Sequence, residues 1–84
     1  MTIIDPTPDG SSAEQAIVIN EKSEITGVAA EYSWLQKHYP GYKLSIQFLS
    51  VRDNQSYDIM LFDTSEGISK EIYFDISAFH GKFR

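Results

Sequence analysis

One stretch governs what this chain can become. Residues 23–39, SEITGVAAEYSWLQKHY, carry a clear helical period, and a lone amphipathic helix must bury its apolar side against something else. Ile25, Val28, Ala29, Tyr32, Leu35 and Tyr39 recur at three- and four-residue steps, which places them on one stripe. Ser23 stands where an N-cap hydroxyl accepts from a free backbone N–H, and Glu24 follows in the first turn, where the helix dipole favours negative charge. Lys37 and His38 lie in the last turn, and Pro40 forbids continuation. Gly27 weakens the helix by about 1 kcal/mol relative to alanine. Trp34 projects to nearly the opposite side of this stripe, with Gly27, Ala30 and His38, and Glu31 sits at its boundary.

The residues after the helix supply its counterpart. Leu44, Ile46 and Phe48 alternate with Lys43, Ser45 and Gln47, the pattern of a half-buried strand over residues 41–51. Asp53-Asn54 predicts a two-residue hairpin turn, because both residue types tolerate the left-handed conformation. That turn sets Phe48 opposite Ile59, Ile46 opposite Leu61 and Gln47 opposite Met60. Residues 56–63 form the next strand and residues 69–76 the last, separated by the turn Thr64-Ser65-Glu66-Gly67 with a positive φ at Gly67. The inward set expected is Leu44, Ile46, Phe48, Tyr57, Ile59, Leu61, Ile72, Phe74 and Ile76. Ahead of the helix, Ala16-Ile17-Val18-Ile19 reads as a short buried or edge strand. Residues 1–14, rich in Pro, Asp, Gly and Ser, read as a flexible arm. The tail after residue 76 reads as one helical turn closed by Gly81, with Phe79 and Phe83 able to fold back towards the Trp34 side of the helix.

Composition narrows the function classes. A net charge of −5 without a basic stripe argues against nucleic acid, and suits a basic protein partner. No cysteine is present, so no disulfide framework holds the chain. No signal peptide or membrane span is legible, which makes a cytoplasmic location the expectation. No nucleophile elbow, phosphate-binding loop, dinucleotide fingerprint or metal-ligand spacing occurs.

Two constellations remain. The outward sheet face is expected to hold Leu49, Met60, Phe62 and Tyr73 within a rim of carboxylates, the anatomy of an interface. Trp34, Ala30 and His38 make a second candidate surface on the helix, since tryptophan is a common interface anchor. Asp58 and Asp75 oppose each other if the second hairpin has a four-residue loop, and such a pair could share a proton or hold a divalent cation.

The run from Tyr39-Pro40-Gly41 to Tyr73-Phe74-Asp75 and Gly81 resembles a PepSY-type domain in layout: a helix ending near YPG, three antiparallel strands and a closing YFD…G. The resemblance implies an inhibitory or binding role rather than catalysis. It is one of layout and does not assign the chain to that family.

The fold expected is therefore α+β, a single helix on one face of a three- to four-stranded antiparallel sheet in β-α-β-β-β order, with an arm over residues 1–14 and one domain over residues 15–84. The function expected is a small acidic, non-catalytic protein–protein interaction domain, inhibitor- or immunity-like or homodimeric, with no cofactor, metal, nucleic-acid or membrane partner. Its candidate contacts are Trp34, Ala30, His38, Leu49, Met60, Phe62 and Tyr73. The alternative is a small enzyme or divalent-metal domain built on Asp58, Asp75 and a histidine.

Overall fold

A computed structural model describes residues 8–80. The elements are β1 (Ile17–Val18), α1 (Glu24–His38), β2 (Lys43–Arg52), β3 (Gln55–Asp63) and β4 (Ser69–Asp75). They form one helix and a four-stranded sheet in the order β1-β4-β3-β2. The expected α+β class and element order hold, with one addition: β1 pairs parallel to β4, so the sheet is mixed. The expectations for residues 1–7 of the arm and for Gly81 and Phe83 fall outside the described residues.

Local chemistry sets the helix ends. Ser23 caps the first turn, its Oγ accepting from the Thr26 N–H at 3.2 Å. The Tyr39 N–H donates to the Leu35 carbonyl at 2.7 Å, and Pro40 ends the run. The first hairpin also turns as its sequence predicts. Asp53 and Asn54 have φ of 50° and 66°, both left-handed, and Phe48 faces Ile59, Ile46 faces Leu61 and Gln47 faces Met60. A bulge between Leu44 and Ile46 then shifts the pairing so that Leu44 faces Phe62.

The second hairpin changes which face is which. Asp63 pairs with Ser69, leaving a five-residue loop over residues 64–68 rather than four, with Gly67 at φ 83°. One residue of slip turns every side chain of a strand over. Met60 therefore lies beside Ile72, and Asp58 beside Phe74. Ile72 and Phe74 share a face with Met60 and Phe62, while Ile59 and Leu61 lie on the other face with Tyr73 and Glu71. The helix covers the first of these faces. Its core is Leu35, Met60, Phe62, Ile72, Phe74, Ile76 and Phe79, with Ile19. Met60 and Phe62, expected on an outward face, are 0% and 1% exposed beneath α1. Ile46 and Phe48, expected inward, are 55% and 43% exposed.

The helix is also rotated from the expected stripe. Its buried line is Gly27, Glu31 and Leu35, whereas Ile25 stands exposed. Gly27 explains the rotation. A Cβ there would overlap the Phe79 ring, so only glycine lets the tail seat against the helix backbone. The turn carrying Phe79 is held by the N–H groups of Phe79 and His80 to the Ile76 carbonyl, and His80 Nδ1 lies 3.3 Å from Glu24 Oε2. The tail does fold back onto the Gly27 side of the helix.

On the other side of the sheet, Ala16, Tyr57 and Ile59 form a second, smaller cluster with Ala13, Leu61 and Tyr73 around it. The segment over residues 10–16, expected within or beside the arm, is fastened to the sheet. The Gly10 N–H donates to the Gln15 carbonyl at 2.6 Å, and the Tyr73 N–H donates to the Gly10 carbonyl at 2.7 Å.

Candidate interaction surface

The helix and the N-terminal segment cover the sheet unevenly. On the β4 side, the Gly10 carbonyl and β1 take up the strand's outer backbone groups. On the β2 side nothing among the described residues does so. Along β2 every residue is exposed except Ser50, which is half-buried. Central strands bury both faces and outer strands usually bury one, so this openness is unusual for an apolar strand.

Both faces of β2 carry apolar side chains. Leu44, Leu49 and Val51 lie on the helix side but beyond the reach of α1, at 40%, 49% and 62% exposure. Ile46 and Phe48 lie on the opposite side, next to Leu61 and Ile59. A depression of about 280 Å³ at the bulged end, bordered by Ser45, Ile46, Leu61 and Glu71, extends that side. Between Lys43 and Arg52 there is no charge and no proline. Among the described residues the strand therefore presents unpaired backbone groups flanked by apolar side chains, the arrangement that accepts another strand.

A polar chain roots this strand in the body of the molecule. Tyr32 on the helix donates its hydroxyl to Gln47 Oε1 at 2.7 Å, and Gln47 Nε2 donates to Asp58 Oδ2 at 2.7 Å. Behind them Glu31 is fully buried, with neither carboxyl oxygen accepting a hydrogen bond. Burial first, and then the neighbouring Asp58 carboxylate, push the Glu31 carboxyl up to about 10. Glu31 is therefore neutral at pH 7. A neutral acid beside Asp58 avoids the repulsion that two buried negative charges would have there. Burial, then the Asp58 charge, also raises the Tyr32 phenol, which keeps it a donor to Gln47.

The other candidates are scattered. Trp34 is half-buried, its ring edge-on to Phe74 at 5.6 Å and stacked with His38 at 4.1 Å. Ala30 packs against the main core. His38 is exposed, its Nδ1 2.9 Å from the Trp34 carbonyl oxygen. Tyr73 is half-buried on the helix-free face, beside Tyr57 at 6.4 Å and beneath the Arg52 guanidinium at 5.9 Å. Of the predicted contacts, only Leu49 belongs to the open strand. Asp58 and Asp75 occupy opposite faces, because their partners across the ladder are Phe74 and Tyr57. Asp75 accepts instead from Gln55 Nε2 and the Ser77 N–H. Neither histidine joins them, since His38 lies on Trp34 and His80 on Glu24. Among the described residues no three His, Cys, Asp or Glu side chains group as metal ligands, and no helix is long and apolar enough to cross a membrane.

No family model, curated protein or solved structure matches the chain.

Sequence reasoning missed Leu44, Ile46, Phe48 and Val51 as surface. The usable signal was apolar residues at both parities over residues 44–51, in a chain with one helix to cover one face. Glu31 had a subtler signal. It stands four residues from both Gly27 and Leu35, on the line that allows closest helix approach.

Proposed function

We propose that this chain is a non-catalytic protein–protein interaction domain whose contact surface is the open edge of β2. The observation that carries the reading is the exposure of a ten-residue strand along its length, with five large apolar side chains still 40–62% in water. Strand addition at such an edge uses backbone hydrogen bonds for affinity and neighbouring apolar side chains for specificity. The Tyr32–Gln47–Asp58 hydrogen-bond chain supports the surface from beneath by tying β2 to the helix and to β3.

The charge pattern shapes the partner. β2 carries Lys43 and Arg52 and no acid, a net +2, so the remainder of the chain is −5 − 2 = −7. The contact strand thus suits a neutral or locally acidic segment, which turns the reading away from an inhibitor of a basic target.

Paired affinity captures test this, with the wild-type chain and a Phe48→Lys/Leu49→Lys variant as baits, alongside sedimentation of each. A binding event, to itself or to another protein, that the variant loses while keeping its fold supports the reading. Identical behaviour of the two baits defeats it.

A further inference from the structure

We infer that the β2 edge takes, as a fifth strand, an extended segment of another protein that is apolar through its middle and acidic at each end. The inference rests on the proposal that β2 is the contact surface, and it specifies the partner.

Backbone polarity determines which groups are on offer. The left-handed two-residue turn at Asp53 and Asn54 makes Arg52 and Gln55 the first hydrogen-bonded pair of the hairpin. Counting back along β2, Ser50, Phe48 and Ile46 direct their backbone groups into β3. Gln47, Leu49 and Val51 therefore present theirs outward, and among the described residues no strand meets them.

The helix carries an independent sign of a missing strand. Tyr32 bonds to Gln47, which identifies the side of α1 that faces β2. Val28 and Ile25 lie one and two turns before Tyr32 on that same side. The N-terminal half of α1 sits over the hairpin-tip end of the sheet, because Gly27 packs on Phe79 and the nearby Ile76 N–H donates to the Ser56 carbonyl. From Tyr32 to Ile25 the helix therefore follows β2 from Gln47 towards Val51. Val28 is half-buried and Ile25 stands 84% in water, above a strand whose Leu49 and Val51 are also uncovered. Helix and strand thus leave apolar side chains facing one trough, and a strand added beyond β2 lays every second side chain along it.

Charge sets the ends of that strand. Lys43, Ile46, Phe48, Ser50 and Arg52 share the face away from the helix, because their partners Asp63, Leu61, Ile59, Tyr57 and Gln55 are alternate residues of β3. The two cations flank Ile46 and Phe48, opposite β3 residues eight apart. Among the described residues neither forms an ion pair. Arg52 Nε donates to Ser50 Oγ with the guanidinium over the Tyr73 ring, and Asp63, across from Lys43, accepts from Ser69 Oγ. A neighbouring strand with two acids eight residues apart matches both cations, whichever direction it runs. A second β2 does not, since a register centred on Phe48 sets Lys43 of one copy against Arg52 of the other.

The probe is a blocked peptide, Asp-Val-Thr-Val-Thr-Val-Thr-Val-Asp, with a counterpart that has lysine at both ends. Each is titrated into the full chain while amide hydrogen exchange is followed residue by residue. The aspartate peptide should slow exchange at Gln47, Leu49 and Val51. It should bind about tenfold more tightly than the lysine peptide at low salt, and added salt should close the gap. Lys43→Glu/Arg52→Glu should reverse the preference, with a thermal melt confirming the fold. Leu49→Pro removes one outward N–H and should abolish protection by either peptide. Equal affinity for the two peptides overturns the acidic-ended partner. No protection at millimolar peptide overturns the inference as a whole. Protection of Gln47, Leu49 and Val51 in the chain alone does the same, because the edge is then filled by the chain itself or, where dilution removes the protection, by a second copy. A capture that the Phe48→Lys/Leu49→Lys variant loses would still uphold the interaction reading, so the two fail separately.

Discussion

The two edges of this sheet solve the same problem differently. The outer edge of β4 meets a two-residue strand and a carbonyl from the N-terminal segment, both short and irregular, so no long row of free backbone groups remains. The edge at β2 runs for ten residues with only a bulge near one end to interrupt it. Natural edges are usually blunted by charge, proline, bulges or brevity. β4's edge is blunted by cover, and β2 keeps charge only at its ends, Lys43 and Arg52. The contrast teaches that exposure at β2 is a property of where the single helix and the N-terminal segment run, and not of weak apolar content.

Two phenylalanines test the contrast most severely. Phe74 in β4 is fully buried and Phe48 in β2 is 43% exposed. Phe74→Ala should cost about 3–5 kcal/mol through the cavity it leaves. Phe48→Ala should cost about 1 kcal/mol or less in a dilute sample. Denaturant midpoints measure both, and similar losses would mean that the two edges are equally covered in solution.

A second prediction concerns pH. Unfolded, the Glu31 carboxyl has its ordinary value near 4.5, and folded it sits at about 10. Below pH 4.5 both states hold the proton, so this group favours neither. As pH rises towards 10, the folded state keeps a proton that the unfolded state has lost, and stability falls by up to about 1.4 kcal/mol per pH unit. Glu31→Gln should remove this slope. Melting curves of wild type and variant should diverge as pH rises, with the variant the more stable at pH 9. Parallel curves across that window would place Glu31 in water.

The helix contact is next in size. Gly27→Ala improves helix propensity by about 1 kcal/mol yet must displace the Phe79 ring, and overpacking of this kind costs about 1–3 kcal/mol. Net destabilisation is expected, and it should shrink in a Phe79→Ala background. A stabilised Gly27→Ala protein would show the tail lifting off the helix. The smallest effect is at the hairpin tip beside the open edge. Asn54→Gly suits a left-handed position and should gain about 0.5 kcal/mol, read as a small rise in melting temperature without change in association.

Several features are legible in the amino-acid order because they are local. Ser23 and Pro40 mark the helix ends by their own hydrogen-bonding chemistry. Asp53-Asn54 fixes the β2–β3 register, since a two-residue turn leaves one way to pair the flanking residues. The second hairpin is where local reading stops. Loops of four and five residues both suit TSEGI, and the difference of one residue decides whether Ile72 and Phe74 join Ile59 or Met60. The same ambiguity hid most of the candidate surface, because assigning Ile46 and Phe48 to the core left Leu49 as the one candidate contact on β2.

Amino-acid order alone determined the helix, the three long strands, the first register and the α+β class, each through contacts between near neighbours in the chain. Tertiary structure decided which face the helix covers, that Glu31 is buried beside Asp58, that Asp58 and Asp75 never meet, and that no other described residue pairs with the outer edge of β2. Those outcomes depend on how apolar area is shared among segments distant in sequence. The larger combined face, with Phe62, Met60, Ile72 and Phe74, gains most from cover by the one helix available, and β2 is left at the margin.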